Sequence, residues 1–315
     1  MDPSEPRERW RFFGVANLLT ALRNLGLLGH AHRDSRLAER IVDDGQPIPV
    51  RSIGQGPAVV LVHGLGCSHR HWMPVATRLA RAHRVVLYDA RGHGVCRPHN
   101  GNPITLTRLA TDIHELFERL ALQRVALVGH SMGALTALQY LQQYGTARIA
   151  ALGLVDQSPR IVTDDAWRLG LFGGCSDAML RGLIAGARKD LAGTVVREVE
   201  AAAPEWVGKR IAANAPLGRL LRQWLQAVDA SLLLDLAESL ADADFRTLVP
   251  RLDVPLLVVL GGRSAHYGGV PLESWYRNEV PHAEVLTYAR SGHSPHVAEA
   301  ERFSGDLARF LADHA

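Results

Sequence analysis

A serine set between two glycines is the residue of this sequence best suited to nucleophilic chemistry. Residues 129–133 read Gly-His-Ser-Met-Gly, after an apolar run at 125–128 and before a helical pattern. The glycines permit a sharp strand-to-helix turn that lifts a serine hydroxyl clear of the backbone, and the amides that begin the helix favour negative charge there. We therefore predict that Ser131 is a nucleophile. The alternative is a glycine-rich turn around a spectator serine.

A serine nucleophile needs a base, and His293 is the histidine whose position in the sequence suits that role. This residue follows the last predicted strand, 284–288, and precedes a helical pattern at 303–311. The carboxyl ends of parallel strands meet at one edge of a sheet, so this position brings His293 to the edge that carries Ser131. A neutral imidazole takes the serine proton and returns it to the leaving group. The nearby His296 is the structural alternative.

Several side chains compete for the role of orienting His293. Asp156 ends the predicted strand 149–155 at the same edge, so we prefer it. Asp253 begins a strand and therefore lies at the opposite edge. The alternatives that stay open are Asp156 as a loop-capping residue, Asp89 as the acid, and a dyad supported by Ser264 or His266.

The elements that must position these residues form an alternating series. Apolar runs without polar alternation, typical of buried parallel strands, lie at 58–62, 84–88, 125–128, 149–155, 255–260 and 284–288. Helical spacing marks 106–120, 135–141 and 303–311. We predict an α/β core made of residues 46–156 and 251–315. The segment 157–250 has only helical patterns and follows the carboxyl end of a strand, which predicts a helical lid over that edge.

Residues 1–45 stand apart from this core. Val15, Leu18, Leu22 and Leu25 recur at helical spacing, which predicts an N-terminal amphipathic helical extension docked on the domain or on a partner chain. Membrane contact or export through this segment is the alternative reading.

Four motifs together resemble the α/β-hydrolase superfamily. They are residues 63–66 (His-Gly-Leu-Gly), Trp72, residues 89–94 (Asp-Ala-Arg-Gly-His-Gly) and the turn at 129–133. The resemblance covers residues 48–156 and 251–315, and the core is similar to small bacterial esterases and to the cofactor-free haloperoxidase-like (perhydrolase) group. It implies the α/β-hydrolase fold, in which helices flank a mostly parallel central sheet. The helical lid would then be inserted after the sixth strand.

The resemblance also implies roles for two loops. It assigns the oxyanion hole to the backbone amides of Leu65 and Met132. The substrate-binding loops it implies contain His63, Gly64, Gly66 and His130. The chain departs from the superfamily at one point, because most members carry their acid after the strand at 255–260. Here no carboxylate follows that strand before Glu273.

Composition excludes several other classes of protein. The 315 residues carry a formal net charge of +3 with scattered arginines, so we expect no nucleic-acid partner. Cys67, Cys96 and Cys175 have no metal-binding spacing, and His69 and His71 lack a third ligand, so we expect no metal and no cofactor. Free thiols are typical of a reducing compartment, which favours the cytoplasm. The oligomeric state is left open.

The expected activity is hydrolysis of a carboxylic ester (EC 3.1.1-like) through an acyl-enzyme on Ser131. Bulky aromatic and leucine residues in the segment 157–250 favour a small-molecule substrate with an apolar portion. The same triad would also suit cleavage of a thioester, a lactone or a carbon–carbon bond, or peracid formation. A lyase that uses the serine and histidine without acylation is another alternative. A slow or inactive hydrolase-like ligand-binding protein is the alternative outside enzymes.

Overall fold

Eight strands form one sheet in the computed structural model, which describes residues 37–96, 103–194, 219, 231–267 and 271–314. Their order across the sheet is β1-β2-β4-β3-β5-β6-β7-β8. The strands are β1 (Ala38–Ile41), β2 (Pro47–Ile53), β3 (Ala58–Val62), β4 (Arg84–Tyr88), β5 (Val125–His130), β6 (Ile149–Val155), β7 (Leu256–Gly261) and β8 (Ala283–Tyr288).

Parallel pairing brings the ends of the central strands together. The six strands β3 to β8 pair in parallel, whereas β1 and β2 join the sheet antiparallel. In the register, Val62 lies opposite Gly129 and His130 lies opposite Val155, so β3, β5 and β6 end side by side. The residues that follow these strands are thereby gathered at one edge of the sheet.

Helices cover both faces of the sheet. The helices are α1 (Met73–Leu79), α2 (Leu106–Arg119), α3 (Met132–Tyr144), α4 (Asp177–Lys189), α5 (Ser231–Asp242), α6 (Leu272–Glu279), α7 (Pro295–Ala298) and α8 (Ala300–His314). One apolar core contains the buried residues of α2 and α3, and the other contains those of α1 and α8. Val59 and Val60 belong to different cores because successive side chains of a strand point to opposite faces.

The strand predictions are confirmed closely where the strands are buried. The bounds of β3, β4 and β6 are those predicted, and β5, β7 and β8 differ from prediction by one or two residues. The outer strands β1 and β2 were not identified, since both mix polar and apolar residues and β2 contains two prolines. Because β1 pairs with β2, the assignment of residues 1–45 to a helical extension is wrong for residues 38–41. Residues 1–36 lie outside the described residues, so the predicted N-terminal helix does too.

The segment between β6 and β7 contributes α4 and α5, which pack against each other. Arg181 contacts Asp242, and Arg188 contacts Asp235 and Glu238, so charged pairs link the two helices. The isolated bridge between Arg160 and Asp244 joins the beginning of the segment to its end. Residues 195–218 and 220–230 of this segment lie outside the described part of the chain.

Candidate active site

Ser131 lies at a strained turn between β5 and α3. Its φ of 53° and ψ of −122° are values that a residue other than glycine rarely adopts. The two flanking glycines are required by close packing. A Cβ on Gly129 would lie 2.2 Å from the carbonyl oxygen of Gly133, and a Cβ on Gly133 would lie 2.3 Å from that of Val62. This packing holds Ser131 at the carboxyl edge of the sheet with its amide bonded to Val155 O at 3.1 Å.

Asp156 and His293 meet at the same edge. The Nδ1 of His293 lies 2.6 Å from Oδ2 of Asp156, although the two residues are 137 positions apart in the chain. Asp156 follows β6, has a positive φ of 47° and is completely buried. Its carboxylate also accepts hydrogen bonds from Ser264 Oγ (2.6 Å, on Oδ2) and from the amide of Gly261 (2.8 Å, on Oδ1). Asp156 is therefore held by three donors.

Burial controls the ionisation of this pair. It raises the pKa of Asp156 to about 6, and the hydrogen bonds from Ser264 and Gly261 act against that rise. Burial lowers the pKa of the His293 imidazole to about 4. At neutral pH the pair therefore consists of a carboxylate and a neutral imidazole. Because the carboxylate can only accept, the imidazole proton lies on Nδ1 and leaves Nε2 as an acceptor.

A cavity of about 370 Å³ opens beside Ser131 and His293. Its wall is mostly apolar, and part of that wall comes from the segment between β6 and β7. The residues that line it include Leu65, Met132, Leu135, Ile161, Leu171, Leu180, Ala237, Leu240 and Val297. The polar side chains that also line it include His71, His130, Gln157, His266, Tyr267 and Ser294. The cavity suits an apolar ligand that presents a reactive group to Ser131.

The loop after β3 approaches Ser131 closely. A Cβ on Gly64 would lie 2.9 Å from Nδ1 of His130 and 3.3 Å from Cβ of Ser131, so only glycine fits there. Gly64 and Leu65 line the cavity on this side, and Met132 lines it from the first turn of α3. The backbone amides of Leu65 and Met132 thus belong to the two segments that meet at Ser131.

His63 and Gly66, which were grouped with the substrate-binding residues, lie outside the lining of this cavity. His63 is buried. Its Nδ1 donates to Gly64 O at 2.9 Å, and its Nε2 accepts from the amide of Ala90 at 3.0 Å. With both ring nitrogens bonded to backbone, His63 braces the loop that Gly64 belongs to. Gly66 has a φ of 70° and turns the same loop.

His130 does line the cavity and also braces the loop of His293. Its Nε2 donates to the carbonyl oxygen of His293 at 2.7 Å. The ring of His266 also packs against that of His293, with centroids 3.8 Å apart and the planes tilted by 35°. Burial lowers the pKa values of His130 and His266 well below their usual range, so both rings are neutral at pH 7. His293 is therefore held between two uncharged imidazoles.

The other candidates considered for orienting His293 have different partners. Asp89 accepts hydrogen bonds from the amide and Nδ1 of His69 (2.7 and 2.8 Å) and from the amide of Val95 (2.9 Å). It therefore links the segment after β3 to the loop after β4. Asp253 lines a second cavity at the opposite edge of the sheet. The buried His296 packs against Trp72, with ring centroids 4.1 Å apart and the planes tilted by 32°.

Sequence reasoning did not anticipate Gln157, Tyr267 and Tyr276, which are linked by hydrogen bonds next to Asp156. Gln157 donates to the hydroxyl of Tyr267 at 2.8 Å, and Tyr276 donates to the carbonyl oxygen of Gln157 at the same distance. Gln157 directly follows Asp156, and that adjacency was the one signal that pointed to it.

The described residues contain no group of three or more His, Cys, Asp or Glu side chains that could hold a metal ion. Within the same residues, every helix is too short or too polar to cross a lipid bilayer.

Relatives in sequence are bacterial enzymes. A protein named pimeloyl-[acyl-carrier protein] methyl ester esterase from Xanthomonas oryzae pv. oryzae is 30% identical over 269 residues, which cover 82% of this chain and 97% of that protein. A 3-oxoadipate enol-lactonase from Acinetobacter baylyi is 28% identical over 65% of this chain and 70% of its own length. The non-heme chloroperoxidase CPO-A1 of Kitasatospora aureofaciens is 26% identical over 85% of this chain and 97% of its own length.

Solved structures share the fold. An esterase from Exiguobacterium antarcticum superposes with a TM-score of 0.70 at 23% identity, covering 87% of this chain and 99% of that one. The sequence model of the alpha/beta hydrolase family matches residues 59–306, and these matches confirm the resemblance found in the motifs. With most of its length matched in this way, the chain belongs to the α/β hydrolase family.

Proposed function

We propose that this chain is a serine hydrolase that cleaves a carboxylic ester through an acyl-enzyme on Ser131. One observation carries the proposal: the 2.6 Å contact between His293 and the buried Asp156 lies beside the cavity that Ser131 also lines. A carboxylate on Nδ1 selects the tautomer whose Nε2 can accept the serine proton. The strained backbone of Ser131 supports the same role, because such strain persists where the surrounding structure holds it for function.

The reaction proceeds in two acyl transfers. His293 Nε2 takes the hydroxyl proton as Ser131 Oγ attacks the ester carbonyl carbon, and Asp156 stabilises the imidazolium that forms. The imidazolium returns the proton to the departing alcohol, which leaves the acyl group on Ser131. Water then attacks the acyl group by the same steps, which releases the acid and restores the Ser131 hydroxyl. In both steps the backbone amides of Leu65 and Met132 would donate to the oxyanion.

The substrate we propose is a small ester with an apolar portion. The cavity of about 370 Å³ and its apolar wall support this size and chemistry. Ile161, Leu171 and Leu180 of that wall belong to the segment 157–250, which supports its role as a lid. The names of two relatives, a methyl ester esterase and an enol-lactonase, also denote ester bonds, since a lactone is a cyclic ester.

The cytoplasm remains the compartment we propose for this activity. Cys67, Cys96 and Cys175 are all free thiols in the structure. Free thiols persist where the surroundings are reducing, which supports this placement.

Labelling with a fluorophosphonate probe, followed by mass mapping of the adduct, tests the nucleophile. We expect stoichiometric labelling of the wild type at Ser131 and none of Ser131→Ala. Ser294→Ala is the matched control, because Ser294 also lines the cavity and its loss should leave labelling intact. A wild type that stays unlabelled would overturn the proposal and favour a lyase or a ligand-binding protein. Labelling at another serine would contradict it as well.

A panel of esters with increasing acyl length tests the substrate class. Leu180 lines the cavity, and its neighbour Met179 on α4 is 45% exposed. We expect Leu180→Trp to lower kcat/KM for the longer acyl chains while sparing acetate esters, and Met179→Trp to change neither. Equal loss across the panel, or a wild type that cleaves thioesters or lactones far better than esters, would contradict the proposed substrate.

A further inference from the structure

The loop after β7 occupies the place where most of the superfamily carries its acid, and here it bears no carboxylate before Glu273. The structure shows what this loop does instead. Its Gly261 amide and its Ser264 hydroxyl both point at the carboxylate of Asp156, which follows the neighbouring strand β6. The acid and its supporting donors thus come from two adjacent strand ends.

The hydrogen bonds around Ser264 determine where its proton points. Its Oγ accepts from the amides of His266 (3.2 Å) and Tyr267 (3.3 Å). These two contacts use the lone pairs of the hydroxyl and leave its single proton for Asp156 Oδ2, 2.6 Å away. Ser264 is therefore a donor to the carboxylate.

Ser264 and His293 share one oxygen of the carboxylate. Both contact Oδ2 at 2.6 Å, while Gly261 bonds to Oδ1, so both oxygens of the carboxylate are held. Ser264 is buried and lies outside the cavity lining, so it acts only through Asp156. A buried carboxylate needs such donors to stay ionised, because desolvation penalises its charge.

We propose that Ser264 is a positioning residue that keeps the Asp156 carboxylate ionised and directed at His293. This inference rests on the proposed function for its catalytic consequence but not for its effect on Asp156. Of the hydrogen bonds that lower the pKa of Asp156, the one from Ser264 has the largest effect. Without this donor, the pair would reach its working charge state only at higher pH.

The other titratable groups that face Asp156 keep their protonation state over the pH range in which Asp156 titrates. His130 at the end of β5 and His266 and His293 on two loops lie around it, and burial lowers the pKa of each imidazole. Burial raises the pKa of Tyr267 and Tyr276 above their usual range. Of these groups, it is therefore Asp156 whose charge changes between about pH 5 and 8.

The catalytic test is the pH profile of kcat/KM for ester hydrolysis. Ser264→Ala should move the acid limb upward by about one to two pH units and lower kcat/KM about tenfold or more on that limb, with KM little changed. Ser264→Thr keeps a hydroxyl and should retain most of the wild-type profile. Ser304→Ala is the matched control, since Ser304 is a buried serine that donates to Ala300 O, on α8. An unmoved limb, or equal loss at every pH, would overturn the proposal.

A second readout does not depend on activity. Burial raises the folded pKa of Asp156 above its unfolded value, so its ionised form costs stability, a cost that is absent at low pH and complete above the folded pKa. Removing the Ser264 donor increases that cost. The drop in Tm caused by Ser264→Ala should thus be larger at about pH 8 than at about pH 5. A drop that is equal at both pH values would overturn the proposal.

The two readouts separate failure of this inference from failure of the proposed function. An unlabelled wild type whose Ser264→Ala variant still shows the pH-dependent drop in Tm would remove the esterase and keep the role of Ser264. A labelled wild type whose Ser264→Ala variant has an unmoved acid limb would keep the esterase and remove the role of Ser264. If Ser264→Ala does not fold, Ser264→Cys supplies the same comparison, because a thiol is a weaker donor than a hydroxyl.

Discussion

At the scale of single residues, Asp156 is the group on which the proposed chemistry depends most. A fully buried carboxylate is costly unless donors surround it, and here three donors do so: Gly261, Ser264 and His293. The left-handed backbone of Asp156 adds strain, which the loop tolerates because the carboxylate is held at both oxygens.

Replacing this carboxylate by an amide should impair the chemistry and leave the fold in place. Asp156→Asn can no longer select the Nδ1 proton or stabilise the imidazolium, so we expect kcat to fall by about 10³- to 10⁴-fold and fluorophosphonate labelling to slow accordingly. The exposed Asp253 at the opposite edge offers the control, since Asp253→Asn should match the wild type. Full activity in Asp156→Asn would return the role to another acid or to a dyad.

The acid limb of the activity should lie below the usual histidine value. Activity needs neutral His293 and ionised Asp156, and burial lowers the pKa of the first to about 4 and raises that of the second to about 6. Lowering the pH through about 6 should therefore remove activity as the carboxylate takes up its proton. The measurement is kcat/KM against pH on the wild type. A limb above 6.5, the ordinary value for histidine, would contradict this assignment.

At the scale of elements, the turn from β5 to α3 is built around backbone contacts. A Cβ on Gly129 would collide with the backbone of Gly133, and a Cβ on Gly133 would collide with the backbone of Val62 at the end of β3. Two strands and a helix thus meet with no side chain between them. The position of Ser131 is a property of this junction, since the serine itself occupies an unfavourable backbone region.

Gly133→Ala tests that junction. Its new Cβ would lie 2.3 Å from Val62 O, a backbone atom that cannot move alone, so we expect a loss of several kcal/mol in the free energy of unfolding, on the order of 3. Gly305→Ala, on α8, has no heavy atom near its Cβ and should raise stability by up to about 1 kcal/mol, because alanine favours helix. Denaturant unfolding of both variants makes the comparison. Similar stability in the two would refute the close packing.

At the scale of the whole molecule, a buried charge network joins distant parts of the chain. Arg91, after β4, contacts Asp112 of α2 at 2.6 Å and Asp44 of the β1–β2 turn at 2.6 Å. Arg108 also contacts Asp112 at 2.9 Å. The network therefore links the antiparallel part of the sheet, at the β1–β2 turn, to helix α2.

The buried network and the exposed pairs on α4 should differ strongly in energy. Asp112→Ala leaves the buried Arg91 without a main partner, so we expect a loss of about 3–5 kcal/mol of stability. Arg188→Ala breaks exposed contacts to Asp235 and Glu238 and should cost less than about 1 kcal/mol. Urea unfolding measures both. Comparable losses would mean that the pairs between α4 and α5 hold the structure more firmly than their exposure suggests.

Much of the fold was predictable because its signals are local. A strand buried on both faces must be apolar along its length, so β3, β4 and β6 could be identified from their own residues. The antiparallel strands β1 and β2 mix polar and apolar residues, and they were missed for that reason. In the site, the turn around Ser131 and the position of His293 after β8 were local features too.

The amino-acid sequence by itself determined the order of elements, and it narrowed the candidates for the site to residues at strand ends. Only the tertiary structure shows which carboxylate contacts His293, because it places Asp156 against that imidazole across 137 positions of chain. The same is true of Ser264, whose role depends on the loop after β7 folding back over the end of β6. The physical reason is that hydrogen bonds between loops depend on strand order and register, which are set by packing of the whole sheet and leave no trace in any one segment.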